Sequence, residues 1–290
     1  MNYKRKSILN SYLYIFPSFL LICVFSLIPI GMNVFYSFTK YNIITPPKVI
    51  GLKNYVRMFS DPYVSASIKN SIVFTLVTVP LQTFFALLFA AIIARYFRGK
   101  FGDLLKGALF VPVIASAVLV GTLFSLFLDP NGPVNFVLQF LHLPKVNWLG
   151  GKTSSMASVC IATIWKNIGY FLVIYYAGVM DIPKEQYEAA EVDGVNAWQR
   201  FCHITVPELA PVTYLVVTLG TIWSFQVFDM VYTMTGGGPG MSTVTLVLTI
   251  YNSAFKGYDM GYASAVALLL FVLVLVFQYF QKRFLGERYE

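Results

Sequence analysis

Few residues of this chain could do chemistry, and most of them lie in one polar stretch. Between Asp181 and Pro207 stand Lys184, Glu185, Glu188, Glu191, Asp193, Arg200 and His203, with a pair of alanines, a glycine and a closing proline among them. That density of charge suits an electrostatic contact with another macromolecule more than it suits bond-making. The usual reagents of catalysis are scarce. Cys23, Cys160 and Cys202 have neither a natural pairing nor a metal spacing, and His142 and His203 have no partner at ligand distance in the sequence. The cysteines read as small apolar residues with free thiols. No Gly-x-x-x-x-Gly-Lys-Ser/Thr loop occurs, so ATP phosphates are not cradled here in that way. An acid–base hydrolase would want a positioned Ser/His pair, paired aspartates or a metal set. Neither histidine lies in an apolar run, and carboxylates are nearly absent from those runs.

The elements that must position the polar stretch are apolar. The chain has 290 residues, 57% hydrophobic and 12% charged, with mean hydropathy +0.68. Soluble domains carry about 25% charged residues. Half that share, with apolar runs of about 20 residues, indicates a polytopic membrane protein. The formal charge of +8 is then read as cations beside membrane spans, not as a nucleic-acid footprint. About six spans are expected, near 12–38, 66–94, 105–128, 156–180, 209–230 and 261–280. They are read as helices, since lone strands would leave backbone groups unpaired in lipid. Pro17, Pro29, Pro80 and Pro112 fall within them and are expected to kink them.

The basic start, Lys4-Arg5-Lys6, followed by a long apolar run without a small-residue cleavage site, reads as a retained first span with its N-terminus inside the cell. The inner segments then carry Lys4, Arg5, Lys6, Arg95, Arg98, Lys100, Lys106, Lys184, Arg200, Lys282, Arg283 and Arg288. The outer segments carry Lys40, Lys48, Lys53, Arg57, Lys69, Lys145, Lys152 and Lys256 over a longer stretch of chain. The polar stretch and the C-terminus are therefore expected inside. Outside, 50–59 is expected to form a short amphipathic helix, 236–240 a flexible turn and 242–255 another helix. No repeat or linker stands out, so 1–290 reads as one membrane domain.

Within the polar stretch, Asp181 and Pro183 predict a helix start. Glu185 and Glu188 lie where the helix dipole favours carboxylates. Ala189 and Ala190 favour helix and allow close approach. Gly194 permits a turn, and Asn196 is placed to cap a second helix. Trp198, Phe201 and Thr205 share a face at helical spacing. Pro207 marks the corner into the fifth span. The expected product is a bent helix pair able to transmit a push.

The order Glu188-Ala189-Ala190, Gly194, then Ile204-x-Val206-Pro207 resembles the EAA loop of permease subunits of binding-protein-dependent ABC importers. Val206 stands where the family pattern has Leu. Residues elsewhere narrow the resemblance to maltose-type carbohydrate permeases. They are Gly51-Leu-Lys-Asn-Tyr55, Phe110-x-Pro112, Asn147-Trp148-Leu149, Trp165, Gly169, Asp193-Gly194 and Thr235-Gly-Gly-Gly-Pro-Gly240 with Ser242-Thr243. The resemblance implies the all-α MetI-like fold of type I ABC importer permeases. It implies that 181–207 is the coupling loop, in which Glu188, Ala189, Ala190, Asp193, Gly194, Ile204 and Pro207 engage an ATPase subunit, Glu188 pairing with a basic residue there. It further implies a second related permease subunit, two ATPase subunits holding ATP and Mg, an extracytoplasmic sugar-binding protein, and a bacterial or archaeal cell membrane. No cofactor is expected on this chain and it is not expected to be an enzyme.

A sugar passing through the spans needs aromatic faces and hydrogen-bonding groups, and polar groups inside a membrane default to cavities. The candidates are Trp165, Lys166, Asn167 and Tyr170 in the fourth span and Trp223, Gln226 and Asp229 in the fifth, with Tyr175, Tyr176 and Ser224 behind them. Lys166 could equally pair with Asp229 or snorkel to a headgroup, and both tryptophans could be packing or interface residues. The absence of arginine from the spans favours a neutral solute over a phosphorylated one; a polyol, a sugar phosphate or another small solute is the alternative cargo.

Overall fold

The computed structural model describes residues 2–97 and 99–286, with side chains from 12 to 284 except at 98. Arg98 and Arg288, both assigned to the inner side above, lie outside the described residues, as do the side chains of Lys4, Arg5 and Lys6.

In chain order, α1 (Asn2–Ile22) passes through a wide turn at Cys23–Leu27 into α2 (Ile28–Ser37). Strands β1 (Thr39–Lys40) and β2 (Lys48–Val49) pair antiparallel, Thr39 opposite Val49. Then come α3 (Lys53–Ser60), α4 (Pro62–Tyr96), α5 (Lys100–Ile114), α6 (Ala117–Phe127), α7 (Pro133–Phe140) and α8 (Lys152–Asp181). The polar stretch forms α9 (Lys184–Val192), α10 (Ala197–Arg200), a wide turn at Phe201–Thr205 and α11 (Val206–Glu208). Last are α12 (Ala210–Phe225), α13 (Asp229–Met234), α14 (Leu246–Tyr251) and α15 (Met260–Gln281).

Among the described residues, four stretches are long and apolar enough to cross a membrane: Tyr12–Ser37, Pro62–Tyr96, Lys152–Asp181 and Met260–Phe284. Two helix pairs qualify only when taken together, Lys100–Ile114 with Ala117–Phe127, bent by 97°, and Ala197–Glu208 with Ala210–Phe225, bent by 71°. The expected third span is thus not straight. Pro112 has no N–H to give the last turn of α5, and extended Ser116 accepts from Leu119 N–H at 3.2 Å, starting a new helix. The expected fifth span is also interrupted, because α12 stops at Phe225 and α13 begins at Asp229. The carbonyl freed at Val227 accepts from the Thr245 hydroxyl at 3.1 Å. Pro17 and Pro80 sit inside continuous helices, and Pro29 lies in the first turn of α2.

The chain divides into two compact units. The first is 1–61 with 250–269. Here the amide of Asn54, on α3, donates to the carbonyls of Ser37 and Thr39, both at 2.9 Å. Arg57 pairs with Asp259 at 2.6 Å. Gly261 lies so close to the hairpin that a Cβ would sit 2.0 Å from the Thr39 carbonyl oxygen. The short helix expected at 50–59 is present as α3.

The second unit is 62–249 with 270–290. Phe74, Val120, Val159, Met230 and Leu248 form one buried cluster, and Ala86, Phe171, Leu172, Leu209 and Val216 form another. In lipid these helices associate by close packing, not by escape from water, which favours small residues at contacts. Gly169 shows this: a Cβ there would lie 2.0 Å from the Leu109 carbonyl oxygen of α5.

The glycine-rich segment after α13 is not the flexible turn the sequence suggests. Thr235 and Thr243 share a hydroxyl–hydroxyl bond of 2.7 Å, Thr243 N–H donates to Gly237 O at 3.1 Å, and its hydroxyl donates to Gly238 O at 2.9 Å. Thr243 and Thr245 are fully buried. Gly237 has φ +98° and faces Val244 and Leu248, so the glycines there permit a tight fold-back. The helix expected over 242–255 is shortened to α14 and a wide turn at Asn252–Lys256.

Candidate functional site

The polar stretch is a helical hairpin. Its entry differs from expectation: Asp181 is the last residue of α8 and caps nothing, and Pro183 occupies the cap of α9 without a side-chain bond. The cause is Ile182, which is buried and extended and so places the corner after α8. The turn between α9 and α10 is as the residue types require. Gly194 has φ +72°. Its N–H donates to Glu191 O at 3.1 Å and Val195 N–H donates to Ala190 O at 3.0 Å. These are the two bonds of a Schellman stop. Asn196 and Gln199 then form a reciprocal capping box that starts α10.

Three side-chain contacts join the arms. Gln186 donates to Glu208 at 3.0 Å, Tyr187 and Thr205 share a hydroxyl bond of 2.9 Å, and Arg200 meets Glu191 at 3.4 Å. Arg200 is only 8% exposed despite its place in a polar loop. Trp198 stacks on Phe201 with ring centres 5.5 Å apart, while Thr205 turns away and is buried, so the expected common face of these three is divided. Of the coupling candidates, Glu188, Ala189, Asp193, Gly194 and Pro207 are exposed, and Ala190 and Ile204 are half-buried. Glu188 makes no ion pair among the described residues. The roles of Gln186, Tyr187 and Glu208 escape sequence reading because their partners lie far along the chain.

The second feature is an open cavity of about 310 Å³ in the larger unit, where α12 gives way to α13. Lys166, Asn167, Trp223, Gln226 and Asp229 line it, with Thr163 and the unwound Val227–Phe228 backbone. Non-helical backbone at membrane depth is tolerated where it lines a cavity. The size is at the lower end of small-molecule sites, about 300–1,000 Å³. Lys166 forms no ion pair with Asp229 among the described residues. Its ammonium donates to Val113 O at 3.2 Å, one of the last carbonyls of α5, which lack partners within that helix. Asn167 donates to Gln82 at 3.4 Å. Gln82 is 1% exposed and was missed, although an amide in the middle of an apolar helix is a signal in itself.

The remaining candidates do not line the cavity. Trp165 packs on Phe124, centroids 5.5 Å apart, and is half-exposed. Tyr170 lies behind the wall against Trp223, at 4.9 Å. Tyr175 is buried and donates to Thr213 at 3.0 Å, Tyr176 faces the Lys106 ammonium at 3.9 Å, and Ser224 bonds Thr78 at 3.1 Å.

Long apolar helices, two broken pairs and an exposed polar hairpin define a multi-pass membrane transport component. The chain belongs to the family described as binding-protein-dependent transport system inner membrane component, whose model matches residues 8–285. It is a permease of ABC type, not an enzyme, and in this family the ATPase is a separate subunit. It is 34% identical over 268 residues to the trehalose/maltose transport system permease protein MalF of Thermococcus litoralis, covering 92% of this chain and 90% of that one. It is 32% identical to the lactose transport system permease protein LacF of Rhizobium radiobacter, covering 96% and 94%. The fold is that of ABC importer permeases. A chain in the crystal structure of a bacterial ABC transporter involved in the import of the acidic polysaccharide alginate superposes with TM-score 0.84, at 23% identity, over 99% of this chain and 98% of that one.

Proposed function

We propose that this chain is one of two related permease subunits of a carbohydrate importer, and that it passes a mono- or oligosaccharide into the cytoplasm by alternating access. The observation that carries the reading is that one uninterrupted helix, α8, serves both functional features. Lys166 and Asn167 on α8 line the cavity, and α8 ends at Asp181, from which Ile182 and Pro183 lead directly to α9. At about 1.5 Å per residue, the fourteen residue steps from Asn167 to Asp181 span about 21 Å. A displacement at α9 therefore has a stiff path to the cavity.

The cavity chemistry supports a sugar. Trp223 offers an aromatic face, and Asn167, Gln226, Asp229 and Lys166 offer donors and acceptors. The names of the relatives point the same way: trehalose and maltose, lactose, sulfoquinovosyl glycerol and starch degradation products. In this reading Glu188 to Gly194 sit in a cleft of an ATPase subunit. ATP and Mg stay on two such subunits, and an extracytoplasmic binding protein delivers the sugar. Such delivery is consistent with the related alginate transporter, which is known in complex with a sugar-bound periplasmic protein. Both termini of this chain face the cytoplasm of a prokaryotic cell, and 1–290 works as one translocation domain.

The test is uptake into liposomes holding the complete complex. Glu188→Lys inverts the exposed charge, and Gly194→Pro forces a residue confined to φ near −65° into a position at φ +72°. Both variants should insert in the membrane, and uptake should fall below about a tenth of normal, the loss expected when an assembly-wide contact of about 1.4 kcal/mol or more is removed. Normal uptake by both would show that α9 does not couple. Trp223→Ala should lower sugar uptake about fivefold, since stacking contacts are worth about 0.5–1.5 kcal/mol.

A further inference from the structure

We infer that the three contacts joining α9 to the α10–α11 arm make the hairpin one rigid lever, so that a push on α9 reaches the cavity through α12 as well as along α8. The inference rests on the coupling role proposed above for α9. The contacts run in reverse order: 186 with 208, 187 with 205, 191 with 200. They fasten both ends of α9 and so block rotation about any one of them. The turn at the closed end gives no slack, because the Schellman bonds and the capping box occupy the backbone groups of Asp193–Asn196 that could otherwise unwind.

The other side of α9 is fastened differently. Only Ile182 and Pro183 join it to α8, and no side-chain hydrogen bond or ion pair between α8 and α9 occurs among the described residues. The hairpin meets α12 at a 71° corner, where Leu209 is 1% exposed. That corner rests on α8 at Gly178, where a Cβ would lie 2.8 Å from Leu209 Cδ2. That packing and the Tyr175–Thr213 hydrogen bond of 3.0 Å tie α12 to α8, so the two helices carry the motion together. Beyond the corner α12 runs on to Trp223 and Gln226 at the cavity. The contacts also divide labour between two carboxylates of α9. Glu191, itself exposed, is paired with buried Arg200, and Glu188 is left without an ion pair among the described residues. Arg200, Tyr187 and Thr205 are thus positioning residues.

The test uses the full reconstituted complex. Tyr187→Phe with Thr205→Val removes one contact at nearly constant volume, and Arg200→Met removes another while keeping the apolar stem. Arg200→Lys retains the charge and controls for folding. The sugar moved per ATP hydrolysed should fall about fivefold or more with the first two and recover substantially with the third. In a cysteine-free background, spin labels at Val192 and His203, both exposed, should give a distance distribution that widens only in the uncoupled variants. An unchanged ratio and an unchanged distribution would overturn the rigid lever. If that happens while Glu188→Lys still abolishes uptake, the coupling role of α9 stands and only the lever fails. If Glu188→Lys is also silent, the coupling role fails first.

Discussion

At the scale of residues, chemical type was a fair guide to which side chains gather at the cavity and a poor guide to which way each one points. Lys166, Asn167, Trp223, Gln226 and Asp229 converge on one cavity, as expected of polar and amphipathic groups kept out of lipid. Trp165 is of the right type but sits about 100° around the helix from Lys166, and it packs on Phe124. Glycines carry the sharpest forecasts. A methyl group at Gly169 would meet backbone, which cannot swing aside as a side chain can. Gly169→Ala should therefore cost about 1–3 kcal/mol, seen as an earlier melting transition of the detergent-solubilised complex. Gly237→Ala combines φ +98° with a contact of 2.8 Å to Val244, and should lower the same transition. Gly107, which lies inside α5 with open space around it, is the matched control: Gly107→Ala should not lower the transition and, by helix propensity, should raise it slightly.

At the scale of elements, helix ends decided what apolar run length could not. The runs at 105–128 and 209–230 look continuous by hydropathy, yet each contains a break set by one or two polar contacts. Ser116 caps α6, and Thr245 satisfies the carbonyl of Val227. Such contacts are legible only when the partner is near in sequence. Ser116 bonds three residues on and could have been read; Thr245 bonds eighteen residues back and could not. Ser116→Ala should destabilise the bend by about 1 kcal/mol, measured as faster hydrogen exchange of the first amides of α6, with α8 unaffected. The Asp181 start signal failed for a related reason: α8 had enough buried contacts to continue through it, and the tertiary burial of Ile182 set the corner one residue later.

At the scale of the whole molecule, the membrane organises the chain. The 18-residue window of the first span is 0% buried within this chain, so its cover comes from outside the chain. Topology is testable with single cysteines in a cysteine-free background. Trp198→Cys, at a site 62% exposed in the hairpin, should react with an impermeant thiol reagent only when the reagent is on the cytoplasmic side. Phe136→Cys, at a site 70% exposed on α7, should react only from the other side. Reaction from the same side would reverse or break the proposed topology.

The sequence by itself determined that the protein spans a membrane, where its long apolar segments fall, and that one polar stretch between them folds back at Gly194 and Asn196. These follow from terms that add residue by residue: transfer to lipid, helix capping, the φ range open to glycine. Only the tertiary structure decided that two apolar runs are broken, that five of seven polar candidates share a cavity, that the glycine-rich segment is locked by buried threonines, and that α9 is fastened along its length to α10 and α11. Those outcomes depend on contacts between residues far apart in the chain, whose strength is set by distance and burial after packing, and no sum over single residues contains them.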